Sequence, residues 1–144
     1  MPWKESEKGL RRAFEDRLTG WDLVSDTRIH VHVKPDAIAD VVRFLVDAGQ
    51  ARFIAITAVD RTPLRLELWY HFDFLQEPQV LSLCVVLEPG EERVRTVADR
   101  VPAADWNERE IAEGFGVKFE GHPRPQRLML RTGWSKGAPP MRKR

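Results

Sequence analysis

The sequence predicts an α+β domain: an open, mostly antiparallel sheet with helices packed on one face, followed by a C-terminal helix and an extended basic tail. Three observations carry that prediction. RIHVHVK at 28–34 and LRLELWYHFDF at 64–74 alternate apolar and polar residues strictly, the period of strands with one buried face. The connections between strands in the middle of the chain are short, which favours antiparallel pairing. KESEKGLRRAFEDRL at 4–18 and ADWNEREIAEGF at 104–115 instead space their apolar residues three or four apart, as helices do.

In order, Leu10, Phe14 and Leu18 form the apolar stripe of the first helix, and Gly20 marks its stop. The first strand turns Ile29, Val31 and Val33 one way, and Arg28, His30, His32 and Lys34 the other. Lys34-Pro35-Asp36 opens a second helix, because proline is tolerated in the first turn and an early acid suits the positive end of the helix dipole. Ile38, Val41, Val42 and Leu45 are its buried face, and Gly49 closes it. RFIAITAV, apolar on both faces, is expected at the centre of the sheet. After a turn at Asp60-Arg61-Thr62-Pro63, the next strand buries Leu64, Leu66, Leu68, Tyr70, Phe72 and Phe74, and VLSLCVVL pairs with it, ended by Pro89-Gly90. Val94, Val97 and Val101 read as a short helix interrupted by Pro102, and a further helix from about Ala103 to Phe115 stops at Gly116.

Length and composition fit one domain, 1–130, with 131–144 as a flexible or partner-bound tail. A chain of 144 residues buries roughly 68% of its extended-chain surface. With 42% apolar and 31% charged residues and a net charge of +1, it has no general attraction to nucleic acid or to a membrane surface. The final fourteen residues hold five basic side chains and no acid, which suits a solvated end. The longest uncharged apolar run, Val80 to Leu87, is far short of the roughly 20 residues a membrane span needs, and the start, MPWKESEK, carries no signal segment. A cytoplasmic location follows as the expectation. The single cysteine, Cys84, has no internal disulfide partner and sits among Leu83, Val85 and Val86 as a buried apolar side chain.

Four acids and one arginine fall between Asp105 and Glu113. On a helix, Ile111, Ala112 and Phe115 gather as a core stripe, while Trp106, Arg109, Glu110 and Glu113 gather opposite with their charges pointing outward. A tryptophan among ions is unusual, because Trp and Arg are enriched where one protein docks on another. Arg109 and Glu113 stand in the less favourable order for a helix pair, worth about 0.2–0.5 kcal/mol, so self-stabilisation does not explain the pattern. His122, Arg124, Arg127 and Arg131 follow with the opposite sign, and GHPRPQR is expected to fold back along the acidic helix through carboxylate–guanidinium bonds.

ADW-ERE-x-x-E-x-FG-V-x-F-x-GHP, followed by R-L-x-L and Trp134, resembles the signature of the thirty-kilodalton subunit of respiratory complex I. The same domain occurs in membrane-bound nickel-iron hydrogenases and formate hydrogenlyases. The likeness is most specific over Ala103 to Trp134 and extends upstream through ITAVD at 56–60 and ELWYHF at 67–72. It implies a non-catalytic subunit of the hydrophilic arm, peripheral on the cytoplasmic face of the membrane, docked on the hydrogenase-like large subunit beside the iron-sulfur subunits. Iron-sulfur clusters, flavin, quinone or a nickel-iron centre would lie on those partners, with no cofactor in this chain. The matched positions are Trp106, Glu108, Arg109, Glu110, Glu113, Gly116, Phe119, Gly121, His122, Pro123 and Arg127. Glu113 stands where the family usually has Asp, Gly114 replaces a larger apolar residue, and Arg124-Pro125 replaces a more usual Asp-Leu. A short basic tail suits a hydrogenase-type assembly as well as an NADH-driven one.

The alternative is a stand-alone small enzyme or metal-binding module. Glu110 and Glu113 share a helix face, but no nucleophile stands beside them in the sequence. His30 and His32 share a strand face yet supply only half a metal site, which His71 or His122 would have to complete. GFGVKFEG follows a helix instead of a strand, with glycine spacing wrong for a phosphate loop.

Overall fold

The computed structural model describes residues 2–48, 51–61, 65–75 and 77–123. The expected helix stop at Gly49, the turn residues Thr62 and Pro63, the strand residue Leu64, and the whole segment from Arg124 onward, Arg127 and the basic tail included, lie outside the described residues.

The first helix, α1, spans Pro2–Phe14 and is followed by a 3-10 turn at Glu15–Arg17. The helix ends four residues earlier than the periodicity suggests, and Leu18 instead begins a strand, β1, at Leu18–Ser25. Gly20 is therefore not a helix stop: it pairs with His32 in β2, Arg28–Val33, where an added Cβ would lie 3.1 Å from the His32 ring. Within α1, Gly9 has a packing role, because a Cβ there would come within 2.5 Å of Phe44 Cζ. After the 3-10 turn Pro35–Ala37 comes α2, Ile38–Asp47, with Ile38, Val41, Val42 and Leu45 fully buried as the helical period requires.

Strands β3 (Ala51–Arg61), β4 (Arg65–Phe74) and β5 (Glu77–Leu87) complete a five-stranded sheet in the order β1-β2-β5-β4-β3. All neighbours are antiparallel except β2 and β5. Ile29, Val31 and Val33 of β2 and Leu66, Leu68, Tyr70, Phe72 and Phe74 of β4 share one core with Leu10 of α1 and the stripe of α2. Each such core side chain contributes on the order of 1.5–3 kcal/mol by leaving water.

Two elements depart from expectation. RFIAITAV is an edge strand, not the sheet centre. Its apolar character suits shielding of that edge by a later helix, whose Asn107 Oδ1 accepts the Ile56 N–H at 3.1 Å. The valine-spaced segment is not a helix: Arg93–Arg95 forms β6, which pairs in parallel with β7, Lys118–Glu120. Val97 and Val101 lie beyond it on a single turn closed by the Val101 N–H to Val97 carbonyl bond, 2.8 Å. The three valines are buried as their apolar nature demands, but a strand followed by a turn meets that demand as well as a helix does.

Candidate docking face

Ala104–Phe115 forms α3, and Gly116 ends it at φ 80°, its N–H returning to the Ala112 carbonyl. A left-handed residue at this position strongly favours glycine, so the helix stops where the sequence placed the stop. The buried stripe runs through Ala104, Glu108 and Ile111, with Phe115 packed at the core margin.

Glu108, one of the matched signature positions, lies away from the outward flank and is 0% exposed. It stands four residues after Ala104 and three before Ile111, so the helix phase turns it inward. Its carboxylate accepts the Val97 N–H at 2.8 Å and the Thr96 hydroxyl, and Thr96 Oγ1 in turn accepts the Ala98 N–H at 3.0 Å. Burial pushes this carboxyl up to about 7; the bonds from Thr96 and Val97 oppose the rise, and the charges of Asp99 and Asp105 add to it. Burial and the Glu108 charge also raise the nearby Tyr70 hydroxyl, which has no hydrogen-bond partner among the described residues.

The opposite flank carries Trp106, 57% exposed, with Glu110 exposed and Arg109 and Glu113 half-buried. Ile54, another half-exposed apolar residue, sits at the register shift between Phe53 and Ala55 on the β3 edge that α3 covers. Phe119 is buried in β7, and Gly121, at φ 80°, turns the chain out of that strand. The turn carries His122 back to α3, as the sequence suggests. Its side chain is only 2% exposed, with Nε2 3.1 Å from Asp105 Oδ1 and 3.7 Å from Glu108 Oε1. Pro123 is exposed and is the last described residue. The arginines expected to continue this contact lie outside the described residues.

Sequence reasoning misses Thr96, Asp105 and Asn107. The phase of Ala104 and Ile111 is enough to find Glu108, but nothing local marks Thr96 as its donor, because that pairing forms only when β6 lies beside α3.

The histidines of the other candidate have different partners. His32 Nε2 lies 3.1 Å from Asp22 Oδ2, and the His30 ring meets Trp69 edge-on at 4.8 Å between centroids. His71 pairs through Nδ1 with Ser82 Oγ at 2.8 Å and through Nε2 with Thr57 Oγ1 at 3.1 Å. Burial first, then the charges of His30 and Arg28, lower its affinity for a proton. Among the described residues no group of three or more His, Cys, Asp or Glu is arranged to hold a metal ion. Cys84 is a buried free thiol pushed up to about 12 by burial and by Glu67.

A family model, that of the respiratory-chain NADH dehydrogenase 30 Kd subunit, matches residues 31–144. The chain is 34% identical over 130 residues to the C subunit of the NADH-quinone oxidoreductase of Ruegeria pomeroyi, covering 87% of this chain and 63% of that protein. It is 29% identical over 146 residues to the combined C/D subunit of the NADH-quinone oxidoreductase of Rhodopseudomonas palustris, covering 93% of this chain and 25% of that one. The chain thus spans less than two thirds of the length of either relative. Among solved structures, a chain of the membrane-bound sulfane sulfur reductase, an archaeal respiratory membrane complex, shares the fold at a TM-score of 0.81 and 24% identity. That match covers 96% of this chain and 82% of that one.

Proposed function

The chain belongs to the respiratory-chain NADH dehydrogenase 30 Kd subunit family, and on that premise we propose that it is a non-catalytic peripheral-arm subunit of a membrane-associated redox complex. Its docking surface is the outward flank of α3, centred on Trp106, and its partner is the hydrogenase-like large subunit. The observation that carries this reading is the exposure of Trp106, 57%, on a helix whose opposite stripe already supplies the core. Leaving so large an apolar side chain in water forfeits on the order of 1.5–3 kcal/mol that a partner would recover. The Rhodopseudomonas relative, whose name joins the C and D subunits in one protein, supports a large-subunit neighbour for this domain.

On this reading the electron carriers lie on partner chains, since one cysteine cannot supply the four thiolates a cluster usually takes. No helix among the described residues is long and apolar enough to cross a membrane, and attachment to the cytoplasmic face of the membrane runs through the partners. The test is co-purification from cells expressing the complex. Trp106→Ala leaves the chain folded and reduces its recovery with the large subunit; undiminished recovery would refute the proposed face.

A further inference from the structure

Two consecutive side chains fasten α3 on two different flanks. Asn107 Oδ1 accepts the Ile56 N–H at 3.1 Å, a bond to the edge of the five-stranded sheet. Glu108 accepts the Val97 N–H at 2.8 Å and the Thr96 hydroxyl, which are bonds to the turn leaving β6 in the two-stranded sheet. Neighbouring residues on a helix point about 100° apart. One such bond would leave the helix able to turn about its contact, whereas two bonds to separate sheets define its rotation.

The His122–Asp105 contact adds a further tie at the first turn of the helix, and much of the remaining packing is apolar. Ile111 and Phe115 hold the helix through apolar contact, which is not directional. At the helix start Ala103 offers no side-chain cap. The residues that flank the fastened pair are Trp106 and Arg109, both on the flank assigned to docking.

We propose that Asn107 and Glu108 are positioning residues for partner recognition, holding α3 in the rotation that presents Trp106 to the large subunit. This rests on the docking reading above. An exposed indole contributes to recognition only when aimed, so a helix that can roll spreads the tryptophan over orientations of which few fit the partner.

The experiment measures association of the full chain with the large subunit for Trp106→Ala, Asn107→Leu, Asn107→Asp, Glu108→Leu and Glu108→Gln, with amide hydrogen exchange at Ile56 as a readout independent of the partner. Asn107→Leu speeds exchange at Ile56 and weakens association roughly fivefold, the scale of one net hydrogen bond. Asn107→Asp keeps an acceptor and restores both. Glu108→Gln, which accepts from Val97 and can donate to Thr96, keeps association where Glu108→Leu loses it. If Glu108→Leu does not fold, the two Asn107 variants decide the question. Weakening by Trp106→Ala with unchanged association for folded Asn107→Leu would overturn the positioning role alone. No effect of Trp106→Ala would overturn the docking reading, and the positioning role with it.

Discussion

His122 and Asp105 meet at the end of β7, the imidazole Nε2 3.1 Å from the carboxylate Oδ1, with the histidine side chain 2% exposed and the aspartate side chain 13%. The contact ties the chain leaving the small sheet to the first turn of α3, two elements the sequence separates by a glycine turn and a whole helix. Removing one partner of a buried polar contact costs more than an average surface pair, because the remaining group keeps its desolvation penalty. His122→Ala is expected to destabilise the fold by about 1–3 kcal/mol, read as a lower urea midpoint at unchanged slope. A shift no larger than that of an exposed side chain such as Glu88→Ala would show that the contact contributes nothing.

Glu108 gives the fold a pH dependence of its own. In the folded chain its carboxyl is raised to about 7 from an ordinary 4.5, chiefly by burial, so the native state binds this proton more tightly than the unfolded state. Its contribution is fully present below pH about 4.5 and is lost as pH rises through about 7, by no more than about 3 kcal/mol. Glu108→Gln removes the titration and keeps the acceptor for Val97. Denaturation at pH 5 and pH 8 is expected to show a smaller difference for the variant than for the parent chain, with the variant gaining relative stability at pH 8. Equal differences would exclude Glu108 as the titrating group.

Gly116 ends α3 with φ at 80°, a conformation that costs a side-chain-bearing residue about 1–2 kcal/mol. Gly116→Ala is expected to lower the thermal midpoint accordingly, while Gly116→Asn, better tolerated in left-handed geometry, lowers it less. Equal midpoints for the three proteins would mean that the backbone relaxes there without cost.

The elements legible in the sequence are those whose environment is one-sided. β2 and β4 bury one face more deeply than the other, Glu67 excepted, so Ile29, Val31 and Val33, and Leu66, Leu68, Tyr70, Phe72 and Phe74, announce themselves by alternation. β1 does not: most of its residues are half or fully exposed, and no period runs through LTGWDLVS. β3 reads as a central strand because an edge shielded by a helix needs apolar residues much as a central strand does. Val94, Val97 and Val101 show the limit of spacing arguments, since residues three and four apart also fit a short strand followed by a tight turn.

On the proposed docking face, helix phase alone turns Trp106 and Glu110 outward, and both are exposed. Glu108 is harder to read, because a glutamate ordinarily seeks water. The group that makes its burial tolerable, the Thr96–Ala98 turn, is supplied by another element. Asn107 escapes notice for the same reason: its partner is a backbone amide 51 positions away in the sequence, which no local pattern announces.

Whether the outward flank of α3 faces a second polypeptide can be read by placing a photoreactive phenylalanine analogue at position 106, and separately at 110, in the assembled complex. Docking through this flank gives a cross-link to the large subunit from both positions and none from an analogue at Leu23, which is exposed on the opposite edge of the sheet. An intact complex in which positions 106 and 110 yield no intermolecular product, while Leu23 does, would contradict it.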